Sequence, residues 1–256
     1  MGRRRGSAMV AGVVAMLCVA ACAPAGGRAL REPSRSPAAE VSGRDPVVIV
    51  PGWALECRHG PATEWQPWID ALFAAGWTEA EVYVVDYDTC AAADQNAARV
   101  AAAVDALLTR TGAARVTLIA HSMGVIAARW CVRFGDCAAR VGSVVTLSGA
   151  NHGTTWAGLC GLQYWSVACL DMQPESATLA ALNAGDETPD GGIPGGIAWQ
   201  AWVSICELGI VPRSSAMLDG AENHDLTDRC ILHDDWKRDG WAIDTIVGSL
   251  VGSGPG

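Results

Sequence analysis

Beyond position 45 the apolar residues fall into two kinds of pattern. Short continuous runs at residues 46–50 (P-V-V-I-V), 82–85, 116–120 and 141–147 are rich in β-branched side chains, as strands buried on both faces are. Between them, residues 65–75, the alanine-rich 91–109 and 125–132 carry helical spacing. That alternation predicts βαβ units, and so an α/β fold with a mostly parallel central sheet and helices on both faces. No internal repeat is visible. After Ser148 the alternation fails. Residues 151–200 are rich in Gly, Trp and Pro, with one helical patch at 175–183, which predicts a long excursion above the sheet. Trp156, Trp165, Trp199 and Trp202 either line a pocket or pack a region short of other large hydrophobes, and packing is the commoner use. A final strand is expected at 199–206 and a closing helix at 241–250.

The first 45 residues follow a different logic. Arg3, Arg4 and Arg5 precede an apolar run from 8 to 21 that is short for a bilayer span and is followed by small residues, so residues 1–22 are expected to be a signal peptide. The run ends in Val19-Ala20-Ala21-Cys22, the context of a bacterial lipoprotein signal, in which Cys22 would be lipidated and anchor the chain to a membrane. Ordinary cleavage near Ala23 or Ala25 is the alternative. Residues 23–45, rich in Ala, Gly, Pro, Ser and Arg, predict a flexible tether, leaving 46–256 as the folded domain.

Charge and cysteine content narrow the chemistry. Without residues 1–43 the chain keeps 12 of its 18 basic and 25 of its 27 acidic residues, a net charge of −13, so a nucleic-acid partner is not expected. Neither a Walker loop nor a G-x-G-x-x-G occurs. Of ten cysteines, Cys18 and Cys22 belong to the export segment, and the other eight form an even set that reads as disulfides in an exported chain. Eight cysteines allow 105 pairings. Nearest-neighbour pairing would join Cys57 to Cys90, Cys131 to Cys137, Cys160 to Cys169 and Cys206 to Cys230. Zinc would need tight C-x-x-C pairs; there are none, and no metal is expected.

Residues 116–124, V-T-L-I-A-H-S-M-G, run a buried-type strand into a serine held between small residues, with a helical stretch after it. This is the layout of a nucleophile elbow, whose sharp turn admits only small residues two positions either side of the nucleophile. Ala120 stands where G-x-S-x-G has its first glycine. Ser122 is therefore the candidate nucleophile, the alternative being a serine that merely caps a helix.

A serine hydroxyl needs an imidazole to take its proton and a carboxylate to orient that imidazole, in the chain order Ser, acid, His for an elbow of this kind. Five histidines are available. His59 and His121 come too early, and His152 leaves no room for an acid and reads as an active-site-floor or loop-structuring residue. His224 lies in the polar stretch E-N-H-D, which looks like a surface turn. His233, just after Cys230 and before the closing helix, is the expected base. The expected acid is Glu207, the first carboxylate after the 199–206 strand, ahead of Asp86, Asp219 and Asp225; the competing reading is a solvated loop charge. An oxyanion hole would use the backbone N–H of Met123 and that of Trp53, where Gly52 lets the chain approach a substrate.

The segments V-V-I-V-P-G-W, A-H-S-M-G, S-G-A-N-H-G-T, L-N-A-G-D-E-T, C-E-L-G-I-V-P-R-S-S-A-M-L-D-G-A and C-x-x-H at 230–233 together resemble a small secreted bacterial lipase of the class 2 group within the α/β-hydrolases. The resemblance covers about residues 46–250. It implies hydrolysis of acylglycerols or other carboxylic esters through an acyl-serine intermediate, without metal or organic cofactor; a monomer acting outside the cytoplasm is expected. Two positions depart from the family pattern, which ordinarily has aspartate where Glu207 stands and glycine where Ala120 stands. An acyltransferase with the same triad and a catalytically silent surface-binding lipoprotein are the alternative readings.

Overall fold

A computed structural model describes residues 41–57, 62–164 and 166–252, with side chains of 161–164 excepted. The signal peptide, Cys22, most of the tether, His59 and Trp165 lie outside the described residues. Six strands form one sheet in the order β2-β1-β3-β4-β5-β6, with every pairing parallel. The strands are β1 (Val47–Val50), β2 (Val82–Val84), β3 (Val116–His121), β4 (Val141–Leu147), β5 (Ala198–Ser204) and β6 (Glu222–Leu226). The helices are α1 (Gln66–Ala74), α2 (Ala93–Thr111), α3 (Gly124–Phe134), α4 (Ala157–Tyr164), α5 (Val167–Asp171), α6 (Ala177–Leu182) and α7 (Gly240–Gly252). The α/β-hydrolase architecture expected from the alternating pattern is the one observed.

The pleat explains why β1 is apolar throughout and β3 nearly so, Thr117 and His121 excepted. Val48, Val50, Leu118 and Ala120 face a core shared with α2, α3 and α6, while Val47, Ile49 and Ile119 face a second core with α1 and α7. Successive residues point to opposite faces, and both faces are covered, so apolar side chains dominate on both. The second core is built on tryptophan: Trp65, Trp68 and Trp236 are almost wholly buried. The Trp68 indole N–H donates to the Trp236 carbonyl at 2.9 Å, so burial leaves it paired. Trp199 and Trp202 are buried as well, whereas Trp156 is 54% exposed.

The strand at 198–204 is the fifth, not the last. A sixth follows at Glu222–Leu226, where the sequence suggested a surface turn, and His224 sits inside it, stacked 3.6 Å from the Trp202 ring. This strand lies at the sheet edge and pairs on one side only, with Trp202 opposite His224. The five residues E-N-H-D-L show no apolar alternation because little of the strand is buried. The stretch from 151 to 200 is more ordered than a loop, with α4 packed on α5, α5 on α6, and α6 against α3. Ser166 and Ser176 cap α5 and α6 by accepting the backbone N–H groups of Cys169 and Leu179.

Candidate active site

Ser122 stands between β3 and α3 with φ at +55°, a left-handed conformation that L-residues rarely hold. The turn is packed from below. A Cβ at Gly124 would lie 2.2 Å from the Pro51 carbonyl oxygen, and one at Gly52 would lie 2.8 Å from the Ser122 Cβ. Glycine is thus required at both places, whereas the Ala120 methyl is accommodated in the core. The Ser122 N–H donates to the Leu147 carbonyl at 3.0 Å, which ties the elbow to the neighbouring strand.

The structure brings the three expected side chains into one hydrogen-bonded line. Ser122 Oγ lies 2.9 Å from His233 Nε2, and His233 Nδ1 lies 2.8 Å from Glu207 Oε1. An ionised carboxylate only accepts, so the proton on neutral His233 sits on Nδ1 and Nε2 is bare toward the serine hydroxyl. Glu207 is buried, and burial by itself would raise its pKa. The hydrogen bond and charge of His233, with the Ile210 N–H, outweigh that and hold the carboxyl below its ordinary value. Oε1 also accepts the backbone N–H groups of Gly209 at 2.6 Å and Ile210 at 2.8 Å. The buried charge is thereby paired and hydrogen-bonded.

Several residues that hold this line have no motif. Thr154 Oγ1 donates to the Gly209 carbonyl at 2.9 Å and accepts the Val211 N–H at 3.0 Å, which fastens the acid loop to the loop after β4. Ser204 Oγ donates to the Ile231 carbonyl at 2.5 Å and accepts the Ile231 N–H at 3.1 Å, so the end of β5 grips the segment before His233. Beside that grip the Cys206–Cys230 disulfide joins the same two segments. Gly209 presses on the imidazole; a Cβ there would lie 2.5 Å from His233 Cγ. His121, which the order rule sets aside, is buried with its Nε2 2.9 Å from the His233 carbonyl oxygen and its ring centroid 4.9 Å from that of His233. A carbonyl only accepts, so Nε2 is the protonated nitrogen of His121. Burial first, then the His233 charge, lowers its pKa to about 3.

The other candidates sort clearly. His152 receives a role in the loop, with Nε2 2.8 Å from Glu187 Oε1 and its backbone N–H on the Ser215 carbonyl at 2.9 Å. Asp225 pairs with Arg213. The remaining disulfides are Cys57–Cys90, Cys131–Cys137 and Cys160–Cys169, the nearest-neighbour pairing throughout. Among the described residues, the one His/Cys/Asp/Glu group close enough to hold a metal is Cys57, Asp88 and Cys90, and its two sulfurs are bonded to each other. No described helix is long and apolar enough to cross a membrane.

A cavity of about 420 Å³ opens over Ser122 and His233. Its walls include the Trp53 loop, Trp156 and Ala157. Residues 44–191, more than half of the chain, match the family model described as Lipase (class 2). The chain belongs to the class 2 lipases. Membership places it among the carboxylic ester hydrolases. Its fold is similar to that of the mature lipase BlEst2 of Bacillus licheniformis, at a TM-score of 0.64 and 17% identity, over 84% of this chain and 96% of that one. It is also similar to lipase B of Aspergillus fumigatus, at a TM-score of 0.62 and 18% identity over 84% of this chain, which spans 54% of the fungal chain. The product of lin2722 from Listeria innocua aligns at a TM-score of 0.54 and 14% identity, over 79% of this chain and 92% of that one.

Proposed function

We propose that this class 2 lipase is an exported serine hydrolase that cleaves carboxylic esters of the acylglycerol type through an acyl-serine intermediate. The observation that carries the reading is the continuous line from Ser122 Oγ through His233 to Glu207, at 2.9 Å and 2.8 Å, under an open cavity. His233 Nε2 takes the proton as Oγ attacks the ester carbonyl, and Glu207 fixes the tautomer and stabilises the imidazolium that forms. The Met123 and Trp53 amides are assigned to the oxyanion. Collapse of the tetrahedral intermediate expels the alcohol, which receives the proton from His233. Water then enters, loses a proton to His233 as it attacks the acyl carbonyl, and collapse of the second tetrahedral intermediate breaks the bond to Ser122 Oγ, which takes that proton back from His233 as the acid leaves.

Four disulfides favour a compartment outside the cytoplasm. We assign residues 1–22 to export, 23–45 to a tether and 46–256 to the catalytic domain, with Cys22 as the lipid attachment point. A fluorophosphonate probe tests the central claim: Ser122 in the wild type should be labelled, with loss of p-nitrophenyl ester hydrolysis, and Ser122→Ala should take no label. Labelling at another residue, or hydrolysis undiminished in the variant, would refute it.

A further inference from the structure

The cavity over Ser122 has two chemically different sides. The general acid must reach the oxygen of the departing alcohol, so the alcohol part of an ester lies on the His233 side of the serine and the acyl chain on the other. Much of the wall is apolar, with Trp53, Trp156, Ala157, Cys160 and Met172 in its lining. Next to His233 it is charged. Asp234 and Lys237 belong to the short 3-10 helix His233–Lys237 that begins with the imidazole, and Glu64 comes from the facing turn Ala62–Trp65; all three line the cavity. Lys237 Nζ lies 3.2 Å from Glu64 Oε2 and 3.1 Å from Asp234 Oδ1, so one ammonium bridges two carboxylates. Lys237 is largely covered, whereas the side chains of Glu64 and Asp234 are 42% and 70% exposed, leaving carboxylate edge open to the mouth.

We propose, resting on the serine-hydrolase reading, that Glu64, Lys237 and Asp234 form a subsite for a neutral polyhydroxylic alcohol, so that the enzyme prefers partial esters of glycerol-like polyols to esters of simple alkanols. A hydroxyl both donates and accepts. Adjacent hydroxyls can donate hydrogen bonds to the two carboxylates and accept one from the ammonium. An alkyl group placed there would strip water from three charges and return nothing. A quaternary ammonium alcohol fits poorly, because Lys237 already occupies the point between the carboxylates. By reversal of the same step, the subsite would also receive a polyol that attacks the acyl-serine in place of water, giving a new ester and returning the proton through His233 to Ser122.

Three soluble butyrate esters isolate the alcohol side: 1-butyrylglycerol, ethyl butyrate and butyrylcholine, each kcat/KM being normalised to the hydroxide-catalysed rate of the same ester. The glycerol ester should exceed the ethyl ester by about tenfold in the wild type, with butyrylcholine lowest. Glu64→Gln and Lys237→Met should each bring the glycerol-to-ethyl ratio close to one, with unfolding curves and fluorophosphonate labelling of Ser122 showing that both variants are folded and active. A wild-type ratio near one, a ratio unaltered in both variants, or butyrylcholine as the best substrate would overturn the subsite while the labelled serine still stands. Absence of label and of all three hydrolyses would overturn the serine-hydrolase reading and the subsite together.

Discussion

His121 should make the folded enzyme acid-sensitive in a way that one substitution removes. Its imidazole is buried, donates Nε2–H to the His233 carbonyl, and stays neutral down to about pH 3, against 6.5 for an unperturbed histidine. Between those two values the unfolded chain binds a proton that the folded protein refuses, so stability falls as pH falls, is undiminished above about 6.5 and levels off near 3. Going from pH 7 to pH 4.5 crosses about two units of this window, and at about 1.4 kcal/mol per unit the cost is about 2.7 kcal/mol. His121→Gln keeps an amide donor near the carbonyl and removes the titration. Urea unfolding of both proteins at pH 7 and pH 4.5 gives the comparison, because the other titrating groups, including Glu207, are present in both proteins. The wild type should lose about 2.7 kcal/mol more than the variant between the two pH values. Equal losses, within about 0.5 kcal/mol, would show that His121 takes up its proton in the folded state and that the burial argument is wrong.

His233→Ala should lower kcat by about 10⁴- to 10⁶-fold, as should Ser122→Ala, because triad members act as a unit, while His224→Ala on the edge strand should stay within a few-fold; ester hydrolysis under saturating substrate measures both. Replacing Cys206 and Cys230 together by alanine should cost about 3 kcal/mol of stability, since the bridge closes a separation of 24 residues, and should lower turnover at temperatures where the variant is still folded. Free thiols at both positions in fully active protein would contradict this. Cells carrying Cys22→Ser should release the enzyme from the membrane fraction into the soluble one, and a wild type already found free in the medium would rule out the lipid anchor.

What the sequence revealed depended on how local the cause was. β1, β3 and β4 could be read directly because burial on both faces writes itself as runs dominated by apolar, β-branched residues. β6 could not, because an edge strand is specified by the backbone ladder of β5 and leaves its side chains polar. Ser122, Glu207 and His233 emerged from an order rule that needs only positions along the chain. Thr154 and Ser204 did not, since they act on partners 55 and 27 residues away through single hydroxyls that carry no motif. Lys237 was invisible for the same reason: its partner Glu64 lies 173 residues earlier. His121 was readable as a position and unreadable as a contact, its value resting on a carbonyl 112 residues downstream.

The two departures from the family pattern are tolerated for different physical reasons, and the difference locates what fixes the site. At the elbow the constraint is steric and one-sided. Position 124 faces the Pro51 carbonyl with no room for a methyl, while position 120 points into the α2–α3 core, where an alanine methyl is ordinary packing. At position 207 the constraint is polar. Glutamate is longer than aspartate by one methylene, about 1.5 Å, yet Oε1 reaches a spot defined by three donors, the Gly209 and Ile210 amides and His233 Nδ1. Those amides belong to the loop that Thr154 fastens, and the imidazole belongs to the segment that Ser204 and the Cys206–Cys230 bridge hold. The carboxylate oxygen is therefore placed by its three donors and not by the backbone that carries it. An aspartate here would have to draw the 206–208 backbone toward His233, against the Glu207 N–H bond to the Ser204 carbonyl at 3.2 Å. In this chain the shorter family residue is the one that would strain the triad.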